Sequence, residues 1–486
     1  MKRREVIILG IVSLLSVAGY LLASKLVYRL GFPLDDAWIH QTYARNLAIH
    51  GKWAFLLGES SGGSTGPLWG FLLAIPHLLR IGPYVGTYLL GFFSLWAVAL
   101  LGAYLFGLLS PEQKSKRIWV GVLLALEWHL AWAAGSGMET LLFITLILAC
   151  FVQLASPKTN WLALGVLIGL SVWVRPGGMT LLAPAGLSLW IKEHPSRQKF
   201  LHVSELMLGF ALLFVPYLAF NQAVAGDWWP NTFYAKQAEY AILRQTPLWR
   251  RALNLGLLPL VGVGVLVFPG FVLFFLKLAR EGKWSWLMGA LWGLGYVGLY
   301  AWRLPVTYQH GRYLIPVVPI LMIWGMAGLL RWVRPGAEAF SKRLFSRVWV
   351  LSLVVVGAVF WARGASAYAH DVAIIESEMV YMAQWVAENT PSDALVAAHD
   401  IGALGYFGGR DILDLAGLVS PEVIPFIRDE DALADYLNAQ DADYLLIVRE
   451  WYPALEKQAH LEFQSAGEFS PRLGGQNMAL YRWYPP

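Results

Sequence analysis

The sequence predicts an all-α polytopic membrane domain of about eleven transmembrane helices plus juxtamembrane helices, followed by a small C-terminal α/β domain. Three observations predict it. Of 486 residues, 57% are hydrophobic and 14% charged, against about 25% charged in soluble domains. Apolar runs of the length a helix needs to cross a bilayer recur between residues 6 and 363. After Arg363 those runs stop and Asp and Glu become more frequent. The 24 Trp and 21 Tyr suit membrane interfaces, where amphipathic rings sit at headgroup depth. The net charge of +5 is concentrated in short loops between apolar runs, where it sets orientation; no RNA- or DNA-binding motif accompanies it. The one cysteine, Cys150, excludes an intrachain disulfide and a Cys-based metal site.

Taken in order, the predicted spans lie near 6–24, 84–109, 118–134, 138–155, 161–175, 177–191, 200–222, 252–278, 285–302, 313–332 and 347–363. The first run, Val6 to Ala23, is longer than a signal-peptide core and lacks a clear small-x-small cleavage site, so it reads as a retained span. Pro67 to Leu79 is too short to cross and contains Pro76 and His77; it reads as a juxtamembrane or re-entrant helix. With eleven spans, the basic stretches at 2–4, 114–117, 158, 192–199, 277–283 and 331–347 all fall on one side. The positive-inside rule then puts the N-terminus in the cytoplasm and residues 366–486 outside the cytoplasmic membrane. The predicted domains are 1–365 and 366–486. In the second, Ser377 to Asn389 has helical periodicity, and 394–398, 411–415 and 444–448 read as buried strands.

The residues that point to chemistry begin with Asp35 and Asp36, which follow the first span. Asp35 can cap a helix with Ile39, Tyr43 and Leu47 on one stripe and Gln41 and Arg45 among its polar positions, a helix suited to lying on the membrane surface. A helix start needs one acid, and two carboxylates at the mouth of a bundle are costly to keep there without a task. A carboxylate can take the proton of an attacking hydroxyl, and a neighbouring acid can raise its pKa, orient it or hold a metal. Glu139, in the turn Ser136-Gly-Met-Glu139-Thr, reads either as a further functional acid or as the N3 acid of a capping box with Ser136. Arg175, Lys236, Arg303, His310 and Arg312 are cations available to an anionic substrate or, alternatively, to lipid headgroups. The segment from Gly58 to Pro67 is glycine-rich but lacks the Gly-Lys-Ser/Thr of a P-loop; it reads as a mobile loop that orders over a substrate. No His and Cys spacing marks a structural zinc site. A divalent cation on Asp36, Glu59 or Glu139 is left open. His399-Asp400 and Asp414 read as turns after strands, with contact to an acceptor glycan as the functional alternative.

The run Asp35-Asp-Ala-Trp-Ile-His-Gln-Thr-Tyr-Ala-Arg-Asn-Leu47, followed by Gly51-Lys-Trp and a Pro-led short helix, resembles the GT-C superfamily of integral membrane glycosyltransferases. It is similar in particular to the mycobacterial terminal arabinofuranosyltransferase branch, which also ends in an extracytoplasmic domain. The segment Pro230-Asn-Thr-Phe-Tyr-Ala-Lys236 is similar to one recurring in that group. The resemblance implies a polyprenyl-phosphate sugar donor, a glycan, lipid or protein acceptor, and single displacement with inversion, in cell-envelope glycan biosynthesis. It implies Asp35 as general base, Asp36 as supporting acid and Glu139 as a second-turn acid. The donor phosphate would fall to Arg175, Lys236, His310 and Arg312. The alternative is a transporter or flippase of lipid-linked sugars without transfer, although the paired repeats common in transporters are not evident. A sensory or structural protein with a glycan-binding outer domain would leave the acidic pair unexplained.

Overall fold

A computed structural model describes residues 1–192, 195–333 and 338–484. Parts of two basic stretches, 193–194 and 334–337, lie outside the described residues. The chain is mostly helical up to Asn389, and a five-stranded sheet with short helices follows.

Among the described residues, five helices are long and apolar enough to cross a membrane: Arg3–Val27, Pro83–Leu109, Ser196–Ala225, Tyr308–Leu329 and the run Phe340–Asn389. Counting two bent pairs as one span each raises the number to seven, fewer than the eleven expected. The difference has a physical cause: several expected runs are broken by bends or fold into helices shorter than a crossing needs. The run expected at 118–134 is two helices, Arg117–Leu126 and Trp128–Gly135, bent by 54° where Glu127 turns its carboxylate onto the Leu130 N–H. Thr140–Ala155 and Trp161–Val174 are shorter apolar helices, largely buried in the bundle. The run at 252–278 is broken by a 109° bend between Leu260 and Gly264, near Gly262 with φ +85°. Pro67–Leu78 is a short helix, as its length requires.

Helix Phe340–Ile375 runs without a break past residue 365, through a π-helical stretch at Glu376–Val380 into helix Tyr381–Asn389. Arg29, beyond the first helix, pins this junction with an ion pair to Glu376 at 2.6 Å. The sheet consists of β1 (Leu395–Ala398), β2 (Asp411–Asp414), β3 (Tyr444–Val448), β4 (Ala459–Gln464) and β5 (Met478–Trp483), ordered β2-β1-β3-β5-β4. β1 pairs in parallel with β2 and β3; β5 runs antiparallel to β3 and β4. The chain leaves β1 to one side for β2 and returns to its other side for β3, so a switch point lies at the carboxyl ends of β1 and β3, where open α/β sheets form a binding crevice.

Helix Asp36–His50 is not a surface helix. Residues 37–44 are all buried, with the bundle on one side and the C-terminal domain on the other. The expected polar face is buried and hydrogen-bonded: Gln41 donates to Thr87 at 2.7 Å and pairs with His77 at 2.9 Å, and Arg45 donates to the Tyr406 carbonyl at 2.6 Å. Trp38 packs edge-on to Phe407, ring centroids 4.6 Å apart, and tilted on Tyr406 at 4.8 Å, each pair contributing about 0.5–1.5 kcal/mol beyond area burial. One apolar cluster runs from this helix through β1 and β3, so the acidic pair is held between two folded bodies.

Candidate active site

Asp35 and Asp36 open into a cavity of about 530 Å3 between the helical bundle and the sheet domain. Asp35 adopts helical backbone angles and does not cap its own helix. Its carboxylate instead accepts the backbone N–H groups of Gly402 (2.6 Å) and Ala403 (2.8 Å), at the start of the turn after β1. Gly402 is needed for this approach, because a Cβ there would collide with the Asp35 carbonyl and carboxylate. Burial, then the Asp400 carboxylate, push the Asp35 carboxyl up to about 7, outweighing the two N–H donors that favour its charged form.

Asp36 has the opposite environment. Arg312 Nη2 stands 2.6 Å and Lys236 Nζ 3.6 Å from its Oδ2, an ion pair without hydrogen-bond alignment at that oxygen. Burial pushes Asp36 up, but Lys236 and then Arg312 outweigh it and hold it well below the usual carboxylate range. Lys236 is pulled up by Asp36 against its own burial. Helix Asn231–Glu239 aims Lys236, and Asn231 fixes that helix by donating its side-chain amide to the Leu418 carbonyl at 3.1 Å. Arg312 is 8% exposed, and its Nε and Nη1 have no hydrogen-bond partner in the protein. It follows three residues in the left-handed region, Gln309, His310 and Gly311 at φ +52°, +58° and +66°. Backbone strain of this kind persists where surrounding structure enforces it.

The structure thus brings Asp35, Asp36, Lys236 and Arg312 together and leaves the other candidates elsewhere. Glu139 and Arg175 form a separate buried pair, Oε1 to Nε 2.5 Å, with Arg175 also donating to Thr140 at 2.8 Å. Glu139 precedes helix Thr140–Ala155 and its side chain makes no cap hydrogen bond; Ser136 Oγ accepts the Met138 N–H instead. His40, one turn beyond Asp36, stands between this pair and the acidic pair, its Nε2 3.4 Å from Glu139. His310 faces away, bound to Asp371 at 2.8 Å and lining a different cavity with Trp128 and Arg363. Arg303 ends its helix over the Trp302 ring. Glu59 is exposed. Asp36, Glu59 and Glu139 therefore do not converge, and no group of three or more His, Cys, Asp or Glu among the described residues is placed to hold a metal.

The Gly-Ser segment is packed over part of its length. Residues 61–64 are buried as a strap between the acidic helix and the C-terminal domain. Tyr43 is hydrogen-bonded to Ser61 and accepts the Gly63 N–H at 2.9 Å, Ser64 meets His40 at 3.2 Å, and Gly62 accepts the Asn231 N–H at 3.1 Å.

The far wall of the cavity comes from the β1 and β3 ends. His399 pairs with the Tyr452 hydroxyl at 2.7 Å and stands 3.6 Å from Glu239, which Arg428 approaches to 3.6 Å. Burial pushes His399 down, but Glu239 and Asp400 outweigh it and the net shift is up. Asp414, by contrast, is structural, accepting the N–H groups of Ala416, Leu418 and Val419. Glu239, Arg428, Trp451 and Tyr452 were not singled out in the sequence. Glu239 lies one helical turn after Lys236, which is a readable signal; Arg428 and Trp451 reach the cavity from loops whose sequences carry none.

A helical bundle, an acidic pair on a helix after the first long helix, and a C-terminal sheet domain over that pair make up a fold shared with solved structures. ArnT from Cupriavidus metallidurans, bound to undecaprenyl phosphate, matches at TM-score 0.58 and 13% identity over 98% of this chain and 99% of that one. The oligosaccharyltransferase AglB from Archaeoglobus fulgidus, in complex with an inhibitory peptide and a dolichol-phosphate, matches at 0.63 and 12% over 95% and 73%. The arabinofuranosyltransferase AftD from Mycobacteria matches at 0.51 and 14% over all of this chain and 40% of that one. Residues 368–481 match a domain of unknown function, DUF8728. No curated protein sequence matches the chain.

Proposed function

We propose that this protein is a glycosyltransferase that moves a sugar from a polyprenyl-phosphate donor to an acceptor hydroxyl at the extracytoplasmic face of the cytoplasmic membrane. The observation that carries the reading is the pairing, in one cavity, of a carboxyl poised near neutrality with a buried guanidinium that has two unpartnered donors. A base is most effective when its pKa lies near the working pH, and unpartnered N–H groups in a desolvated site favour an incoming anion. The relatives in complex with undecaprenyl phosphate and dolichol-phosphate support a lipid phosphate as that anion.

In this reading Asp35 takes the proton of the acceptor hydroxyl as its oxygen attacks the anomeric carbon. The bond from that carbon to the phosphate oxygen breaks, and its electron pair leaves with the polyprenyl phosphate. Arg312 and Lys236 meet the developing phosphate charge, and Asp36 holds both cations in place. Each Asp35 oxygen accepts one backbone N–H and retains a further lone pair for the proton. One displacement on one face inverts the anomeric configuration. Among the described residues the metal candidates do not converge.

The test is transfer in liposomes with a panel of polyprenyl-phosphate sugars, using wild type and Asp35→Asn. Release of polyprenyl phosphate with a new glycosidic product by wild type alone supports the reading. Lipid-linked sugar crossing the bilayer equally with both proteins, and no donor consumed, would favour the flippase alternative.

A further inference from the structure

The loop leaving β1 places three groups beside Asp35. The Gly402 and Ala403 amides bind its two oxygens. Asp400, two residues earlier, lines the same cavity, and among the described residues its carboxylate has no hydrogen-bond or ion-pair partner. Its neighbour His399 is fully engaged by Tyr452 and Glu239. A partly buried carboxylate without a protein donor, facing a cavity, is a site for a ligand donor. The neighbouring cations have partners of their own: Lys236 and one nitrogen of Arg312 pair with Asp36, Arg428 with Glu239, and His399, the charge that most favours ionised Asp400, with Tyr452 and Glu239. A neutral hydroxyl is the donor that fits between two acids.

We propose that Asp400 is an acceptor-binding residue, and that the acceptor is a polyol of the sugar type. One hydroxyl is set against Asp35 for attack, and the neighbouring hydroxyl donates to Asp400. Trp451, 51% exposed and edge-on to His399 with ring centroids 5.4 Å apart, adds an apolar face at the cavity wall for a sugar ring. The C-terminal domain is then the acceptor half of the site, and its amides aim the base at the hydroxyl that Asp400 helps to place. This inference rests on the glycosyltransferase reading and goes beyond it in naming the acceptor class and the residue that selects it.

The experiment uses the full-length protein in liposomes with whichever panel donor it consumes. The acceptor probes are an octyl glycoside, the same glycoside lacking the hydroxyl next to the attacking one, and octanol. Wild type should use the octyl glycoside best, and Asp400→Asn should raise its KM by about tenfold or more, the usual cost of a hydrogen bond to a charged group. Donor KM should stay within about twofold, since Arg312 and Lys236 still hold the phosphate, while the pH limb of acceptor-free hydrolysis should move down, because Asp400 no longer raises the Asp35 carboxyl. The deoxy glycoside should lose nothing further in Asp400→Asn, the signature of one shared interaction. Gly402→Ala, which displaces Asp35, should depress transfer and hydrolysis together. Wild type that does not distinguish the glycoside from its deoxy analogue overturns the proposal without any variant. So does Asp400→Asn with unchanged acceptor KM, or with hydrolysis lost as fully as transfer. A wild type that neither transfers nor hydrolyses any donor instead removes the glycosyltransferase reading, and this inference with it.

Discussion

Arg312 reaches Asp36 at 2.6 Å, and Lys236 approaches the same oxygen to 3.6 Å, so one acid gathers two cations beside the Asp35 carboxyl. Arg312 keeps two donors free while one guanidinium nitrogen is engaged, which is how a residue waits for an anion. Arg312→Ala should lower kcat for donor consumption by about 100-fold or more, the scale for removing a charge-stabilising donor in a desolvated site. Arg312→Lys should recover only part of that, because the planar fork is lost. Release of polyprenyl phosphate measures both. Equal activity of wild type and Arg312→Ala would remove the residue from the phosphate site.

With Asp35 as the proposed base, its carboxyl should set the pH dependence of transfer. Its carboxyl is raised to about 7 by burial and by Asp400. A raised carboxyl loses its base form as pH falls through the raised value, so kcat/KM should rise with pH through neutrality rather than near 4. Asp35→Asn should lower transfer by about 100-fold to 10000-fold and abolish that rising limb. A limb near 4 in wild type would mean that the two backbone donors dominate over burial and that Asp35 works as a fixed carboxylate.

The acidic pair, the short Pro-led helix and three of the five strands were legible because each rests on local pattern: adjacent acids after a span, a run too short to cross, and apolar segments bounded by turns. The number of spans was not, because Thr140–Ala155 and Trp161–Val174 are as apolar as spanning helices but shorter, and hydropathy alone does not show where a helix stops. β4 was missed for the opposite reason, having no fully buried residue, whereas β5 is buried at five of its six positions and was missed although its pattern was apolar. At the site, spacing could find Lys236 and Arg312 as cations. It could not tell which of five would face Asp36, since His310 and Arg312 diverge only through a left-handed backbone turn.

The Glu139–Arg175 pair should matter to stability. The two side chains are 2% and 8% exposed and 2.5 Å apart. Arg175→Ala leaves Glu139 buried without its cation and should destabilise the protein by about 3–5 kcal/mol. Replacing both with Leu and Met should recover most of that loss, since a buried pair exchanged for well-packed apolar groups is often neutral. Thermal unfolding in detergent distinguishes the cases. A double variant no more stable than Arg175→Ala would argue that the pair does more than satisfy itself.

His310 should prove dispensable for transfer. It is committed to Asp371 in a cavity that shares no lining residue with the one holding Asp35 and Asp36. His310→Ala should leave kcat and donor KM within about twofold, while thermal stability falls by about 1 kcal/mol for the lost hydrogen bond. A large fall in kcat, with stability unchanged, would show that the turn carrying Arg312 depends on His310 for its position.

The strap at residues 61–64 supplies the last test. A Cβ on Gly63 would meet Val419 Cγ1 at 2.7 Å, the Tyr43 hydroxyl at 2.9 Å and the Leu418 carbonyl at 3.1 Å. The methyl of Val419 can turn aside, but the Leu418 carbonyl is backbone, fixed by its bond from Asn231. Leu418 also lines the cavity, on the same side as the helix that carries Lys236. Gly63→Ala should therefore cost about 1–3 kcal/mol of stability, the range for overpacking a close contact, and should raise the KM for donor as the helix bearing Lys236 shifts. Gly58→Ala is the control, because a Cβ at Gly58 meets nothing within 4 Å. If the two variants unfold at the same temperature, the strap is not what holds the acidic helix against the C-terminal domain. If Gly63→Ala unfolds earlier but binds donor as wild type does, the strap supports the fold without positioning Lys236.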